Sequence, residues 1–293
     1  MMADAAGPAG RLARAEGAYL ALRGERRRRD LVALVVVAAV FAVSATLAEL
    51  DPASLWAGLP RITESAEKTL PILRLEHLPE DLGEWFWNLG HWLYLLAETL
   101  VMAYLATLLG SLFAVLGCFF AARGPAPSAP LAWAVRRGFE FARAVPELVF
   151  ALLFIYAFGL GPMAGVMAVA LHSFGAQGKL FAEAAETALP GPVEGVRSAG
   201  GTWVEAMRFG VLPQILPNFA SFTLWRFEIN VRNSAIIGFV GAGGIGEAVF
   251  TAVRLLHYGD VSALLILLVV TVSLIDQLCG RLRHRMIDGE AGR

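Results

Sequence analysis

A backbone segment that crosses lipid finds no water for its N–H and C=O groups, so it must close its own hydrogen bonds as a helix of ~20 largely apolar residues. Six stretches of this 293-residue chain meet that requirement: 31–48, 99–122, 147–160, 162–178, 218–238 and 261–280. The third is short, and the helical lead-in from Leu131 to Ala144 is available to extend it. Hydrophobic residues make up 57% of the chain and charged residues 17%. That balance excludes a disordered chain, a small disulfide scaffold and an ordinary soluble enzyme. No internal repeat is visible. The expectation is an all-α membrane protein with about six transmembrane helices.

Net charge is −1, but the 24 Lys and Arg are unevenly placed. Seven lie in residues 1–30, four in 123–144, three in 179–217 and four after residue 280. Segments 49–98 and 239–260 on the opposite side together hold four, and 49–98 also carries nine acids. Cytoplasmic loops are enriched in Lys and Arg, so both termini are expected in the cytoplasm. The organisation expected is a cytoplasmic tail 1–30, a first span with a short periplasmic segment over 31–98, a core over 99–285 containing the cytoplasmic loop 179–217, and a tail 286–293. Arg28-Arg29 before an apolar run has a faint likeness to an export signal, yet five further spans follow, and the first span is read as an uncleaved anchor. Asp81 to Tyr94 is rich in Trp, Phe and Tyr and reads as an interfacial helix of the aromatic belt.

Chemistry-bearing motifs are scarce. Cys118 and Cys279 lie in apolar runs and read as small buried hydrophobes. The histidines (His77, His91, His172, His257, His284) have no ligand spacing, so no metal is expected. There is no G-x-x-x-x-G-K-[ST], and nothing resembles a hydrolase nucleophile. Gly241 to Gly246 matches G-x-G-x-x-G formally, but it follows a span instead of a strand. Its small residues fit a tight turn with close packing on a neighbouring helix. No cofactor is expected in this chain, and no nucleic-acid partner.

The loop 179–217 carries more information. Pro190 is expected to end one helix, with Pro192 opening a short one, PVEGVRSA, in which Glu194 and Arg197 stand at i,i+3. Gly200-Gly201 stops it. Thr202-x-x-Glu205 is a capping box that opens a second short helix, WVEAMRF. Two short capped helices between spans form a knob able to dock in a partner's groove.

Glu194, Gly200, Leu212 and Pro213 stand at the spacing of the EAA loop of binding-protein-dependent ABC importer permeases, which this segment resembles. Gly195 and Val196 replace the two alanines of the family pattern, and Gly210 replaces an isoleucine. The literal Glu183-Ala184-Ala185 stands too far upstream to be the motif. Arg143-Ala-Val-Pro146-Glu147-Leu148, Ala170-Leu-His172-Ser173, Pro190-Gly-Pro192-Val-Glu194, Trp225 to Arg232 and Gly241 to Gly246 are similar to the phosphonate importer permeases, over about residues 95–285. The resemblance implies a type I importer core of the methionine-permease (MetI-like) class. It also implies two permease copies, two ATPase subunits that hold ATP and Mg, and a periplasmic solute-binding protein. Glu194 to Gly200 would then be the coupling helix, and Leu212 and Pro213 would belong to the same ATPase contact. The expected cargo is a phosphonate or a related phosphorus oxyanion such as phosphite or phosphate.

Charges inside the fifth span are the remaining oddity. A charge near mid-bilayer costs ~2.5–3.5 kcal/mol on insertion scales, so such residues face protein or water. Glu228 and Arg232 stand at i,i+4 and are expected to neutralise each other. Arg226, Asn230 and Asn233 fall on another stripe. Two readings stand together: a structural polar network, or the lining of an anion pathway formed by Arg226, Glu228, Asn230, Arg232, Asn233 and Ser234. His172, Ser173 and Gln177 of the fourth span are weaker candidates for that lining, and Glu147 is expected to partner an arginine. A gradient-driven carrier for an anionic solute is the rival function, with Glu228 as the residue it would need for ion coupling.

Overall fold

The computed structural model describes residues 8–71, 74 and 76–291, and every element among them is helical. The chain divides into two compact units, residues 1–65 and 66–293. In the first, α1 (Pro8–Leu47) is 40 residues long and contains a span-length apolar run, Leu22–Leu47. Asp51 opens α2 (Pro52–Thr69) by accepting from the N–H groups of Ala53 and Ser54, at 3.0 and 3.1 Å, and from the Ser54 hydroxyl at 2.6 Å. Those donors, the hydroxyl first, hold the Asp51 carboxyl below the ordinary carboxylate range.

The second unit begins outside the apolar core. α3 (Leu78–Trp85) ends at a turn over 86–88, and α4 (Leu89–Ala121) starts there, ten residues before the expected boundary at 99. The aromatic segment is therefore two helices and a corner. Its indoles are fastened: Trp85 Nε1 donates to Ser262 Oγ at 2.9 Å and Trp87 Nε1 to Asp260 Oδ1 at 2.9 Å, tying the corner to the start of α12 (Tyr258–Ala291).

Between them run α5 (Ala129–Ala144), α6 (Glu147–Phe158), α7 (Pro162–Glu186), α8 (Pro190–Ser198), α9 (Trp203–Glu205), a π-helical stretch Ala206–Val211, α10 (Leu212–Ile237) and α11 (Ile245–Arg254). Among the described residues, α1, α4 and α12 are long and apolar enough to cross a membrane alone. Two bent pairs reach the criterion together: α5 with α6, at 89°, and the stretch Trp203–Val240 with α11, at 44°. α5 therefore does not lengthen the short third span; it meets it at a right angle. α7 has 25 residues, about 37 Å of helix, enough to span. Its apolarity is lower because it is the central helix, with thirteen buried residues of which ten are Ala, Gly or Ser.

The core lies in three clusters. One gathers Phe139, Phe181, Met207 and Phe219, one Trp92, Ile245 and Leu264, and one Phe150, Val169 and Ile237. Cys118 and Cys279 are both buried and unpaired, as their apolar surroundings implied. The Gly241–Gly246 turn packs as its composition implied, and Ile245 N–H donates to Thr99 Oγ1 of α4 at 2.9 Å. A Cβ at Gly246 would lie 1.8 Å from the carbonyl oxygen of Ala235. Gly246→Ala is therefore expected to lower stability by ~1–3 kcal/mol or to prevent folding, read as a falling melting temperature of the purified protein.

Asp81 gives a pH test on the outer segment. Its carboxylate accepts from Arg74 N–H at 2.7 Å and from the Arg74 guanidinium at 2.7 Å. The Arg74 side chain, then its backbone N–H, holds Asp81 below the ordinary carboxylate range. A depressed carboxylate stabilises above its unfolded pKa, and that contribution is lost as pH falls through the folded value. Protease cleavage near Arg74 should thus accelerate only at pH values below the usual carboxylate range. Asp81→Asn should cleave at that faster rate at neutral pH.

Candidate functional site

Val145 and Pro146 create the site. Proline disfavours the helical conformation in the residue before it and supplies no N–H of its own. Both residues are extended (φ −79, ψ 126 and φ −57, ψ 141), so the chain turns between α5 and α6 and sets Glu147 at the first position of α6. His172 Nδ1 lies 3.2 Å from the Val145 carbonyl oxygen, which holds the bend against α7.

Arg226 of α10 reaches that point. Its guanidinium donates to Glu147 Oε1 at 2.8 Å, and its Nε donates to Ser173 Oγ at 3.0 Å. His172 Nε2 is 3.6 Å from the same Glu147 oxygen. One turn on, Asn230 Nδ2 donates to Thr107 Oγ1 of α4 at 2.8 Å and to Ser173 Oγ at 2.9 Å. Ser111 Oγ donates to Gln177 Oε1 at 3.0 Å, extending the network between α4 and α7. Arg226 is 7% exposed and Asn230 and Ser173 are fully buried. Ser234 continues this stripe with a buried hydroxyl that has no hydrogen-bond partner among the described residues, and Asn233 is half-buried at its edge.

The other stripe differs from expectation. Glu228 pairs with Arg283 of α12, and Arg232 instead donates toward the Glu228 backbone carbonyl at 3.5 Å and lies 3.7 Å from Asp276. At i,i+4 the Arg232 side chain could reach Glu228. The antiparallel α12 offers both residues opposite charges, and the pairing goes between helices. Glu147 does partner an arginine.

The Arg226 cluster opens onto a cavity of about 310 Å³ whose lining includes Arg143, His172, Gln177, Lys179, Trp225 and Arg226. Glu183 also lines it, 3.5 Å from Lys179 Nζ, as the one carboxylate among the lining residues. The arrangement presents guanidinium and ammonium donors to an anion. Arg143 and Lys179 were not expected here. Each sits in a cytoplasmic connection by sequence, and only the bend and the length of α7 bring them beside Arg226. Thr107 and Ser111 carried one signal, hydroxyls four apart on one helix face.

The knob in 179–217 is also built differently in detail. α7 ends at Glu186, and Pro190 opens α8 instead of closing α7. Glu194 and Arg197 are exposed and form no ion pair with each other among the described residues. Gly200 has φ +86, a conformation that suits glycine after a helix. The Thr202–Glu205 capping box forms, with Thr202 N–H donating to Glu205 Oε2 at 2.6 Å. That bond, with the Thr202 hydroxyl, lowers the Glu205 pKa. The helix it opens is not separate. It passes through the π stretch into α10, with Leu212 half-buried and Pro213 exposed. Gly210 explains one departure from the motif: a Cβ there would lie 2.9 Å from Val193 Cα of α8. Gln214 binds the N–H of Leu189 at 2.9 Å and its carbonyl at 3.3 Å, clamping α8 to α10. Glu183 pairs with Lys179 while Ala184 and Ala185 are buried in the core, so the literal Glu-Ala-Ala is not part of the exposed knob.

Comparison with known proteins agrees with this architecture. Over 166 residues the chain is 43% identical to the phosphate-import permease protein PhnE of Mycolicibacterium smegmatis, covering 57% of this chain and 31% of that one. Over 263 residues it is 32% identical to a putative phosphite transport system permease protein, HtxC, of Stutzerimonas stutzeri, covering 90% and 89%. The chain spans 31% to 59% of the length of the first three curated relatives it matches. Its fold is similar to the inward-facing MetNI methionine ABC transporter, with TM-score 0.58 and 21% identity, over 67% of this chain and 95% of that one. The sequence profile of binding-protein-dependent transport system inner membrane components matches residues 114–287, more than half of the chain. The chain belongs to that family of multi-pass membrane proteins.

Proposed function

We propose that this chain is the membrane subunit of an ATP-driven importer for a phosphorus oxyanion: phosphonate, phosphite or phosphate. The observation that carries this reading is the buried Arg226, held by Glu147 and Ser173 and facing a cavity with Arg143 and Lys179. An arriving oxyanion offers the guanidinium an anionic acceptor of the kind Glu147 Oε1 supplies, so it can compete with Glu147 for that donor. Lys179 lies seven residues beyond His172 on α7, about 10 Å along the helix, and gives the anion a next cation toward the loop side. Relatives named as phosphate and phosphite permeases support the cargo class.

Two copies of the chain, two ATPase subunits and an external solute-binding protein complete the assembly. Arg232 and Asp276 are 50% and 44% exposed on helices that cross the membrane, and a second copy gives them a protein neighbour in place of lipid. ATP and Mg belong to the ATPase, because this chain carries no phosphate-binding loop. α8, with Glu194 exposed, seats in the ATPase, and the arginine distribution puts that knob and both termini in the cytoplasm. A gradient-driven carrier would need Glu228 free to bind its ion, and Glu228 is tied to Arg283.

Two measurements test the reading. Arg226→Ala alone strands Glu147 and costs ~3–5 kcal/mol, so the informative variant removes both charges, Glu147→Gln with Arg226→Gln. That double variant is expected to assemble with the ATPase while uptake falls by about 10- to 100-fold, the worth of one charge-assisted contact. Unchanged uptake would remove Arg226 from the pathway. Glu194→Arg is expected to abolish co-purification of the ATPase. Uptake driven by an ion gradient without ATP would sink the importer assignment.

A further inference from the structure

α5 has the form of a helix that rests on a membrane surface. It meets α6 at 89°, so when α6 stands across the bilayer α5 runs along its plane. Ala132, Phe139 and Ala142 on one side of α5 are buried in the protein. On the other side Trp133 is 63% exposed and Phe141 68% exposed. Arg137 lies over the Trp133 ring, 5.9 Å from its centroid. Exposed aromatics beside an arginine are the anchor pattern of helices lying in the headgroup layer.

Beside the first turns of α5 is a cavity of about 560 Å³, with Arg123, Arg136, Arg137, Trp133 and Ser128 in its wall and no carboxylate. Arg136 is fixed there, its Nε donating to the Ala121 carbonyl at 2.6 Å and its terminal nitrogen pairing with Glu186. Arg137 pairs with Glu140. Arg123 uses its backbone N–H, toward Glu186 Oε1 at 2.7 Å, and its guanidinium has no partner among the described residues. Two carboxylates answer three arginines, which leaves one positive charge for a ligand.

We propose that this cavity binds the phosphate of an anionic phospholipid headgroup, with the lipid's apolar part lying against Trp133. Free inorganic phosphate has the same anionic chemistry. The exposed indole in the cavity wall is what selects a lipid. The headgroup's placement in the cytoplasmic leaflet rests on the orientation proposed above, but binding in detergent does not, so the two can fail separately.

The test uses the purified full-length complex in detergent carrying phosphatidylglycerol or phosphatidylcholine, with retained lipid measured by native mass spectrometry. Phosphatidylglycerol should be retained in preference to phosphatidylcholine, and added inorganic phosphate should not displace it. Arg123→Gln with Arg137→Gln should weaken retention by roughly 30-fold, the effect of two surface charges. Equal retention of the two lipids, or an unchanged double variant, would overturn the proposal. Displacement by inorganic phosphate would overturn it in favour of a free-anion site. The lipid preference and the phosphate competition are read on the unaltered protein, so a double variant that folds poorly leaves the proposal open to refutation.

Discussion

A guanidinium taken out of water must meet its counter-charge inside the protein, and the Arg226–Glu147 contact is where this chain satisfies that demand. Its two partners arrive from different elements by different devices. Glu147 is delivered by a proline bend that makes it the first residue of α6, and Arg226 by the helical period of α10. Ser173 and His172 fill the remaining donor and acceptor positions from α7. Four elements thus share one polar core, since Asn230 carries the network on to Thr107 of α4.

Such a network needs close helix approach, and the small residues of α4 and α7 supply it. A Cβ at Gly110 would lie 2.7 Å from Ser173 Cβ, so a glycine on α4 stands directly against the hydroxyl residue that binds Arg226 and Asn230. Without lipid-excluding hydrophobic force between helices, van der Waals contact through small residues and interhelical hydrogen bonds do the joining. The same choice lowers the apolarity of α7, although its run 162–178 is still legible as a span. A helix surrounded by protein has no need to match lipid.

Much of this was legible in the sequence. The apolar runs identified the helices, the Thr202–Glu205 spacing marked the capping box, and the stripe Arg226–Asn230 was read from helical period alone. Illegible parts depend on which helix lies opposite. Glu228 and Arg232 satisfy the i,i+4 rule, but α12 places Arg283 and Asp276 within reach, and sequence spacing carries no information about a residue fifty positions away. Pro190 was read as a terminator when it is an initiator. Proline suits both places, and the choice between them rests on Thr187 already closing α7. The 89° corner was signalled by Val145-Pro146, yet the continuous apolar run of α6 after it favoured a straight extension.

The knob and the buried arginine belong to one mechanical element. From Trp203 the backbone stays helical to Ile237, through the π stretch, and Gln214 clamps the start of α8 to α10. Arg226 lies fourteen residues beyond Leu212, about 21 Å along a single helix. A push on α8 therefore has a helical path to Arg226, with Pro217 inside α10 as a point on it where a backbone hydrogen bond is missing. Glu147 rides on α6, which has no part in that clamp, so its distance from Arg226 is what a displacement of α10 must change. Ion pairing weakens steeply with separation in a low-dielectric interior. The contact that stabilises the network is therefore also the one that a displacement of α10 by the exposed knob would alter.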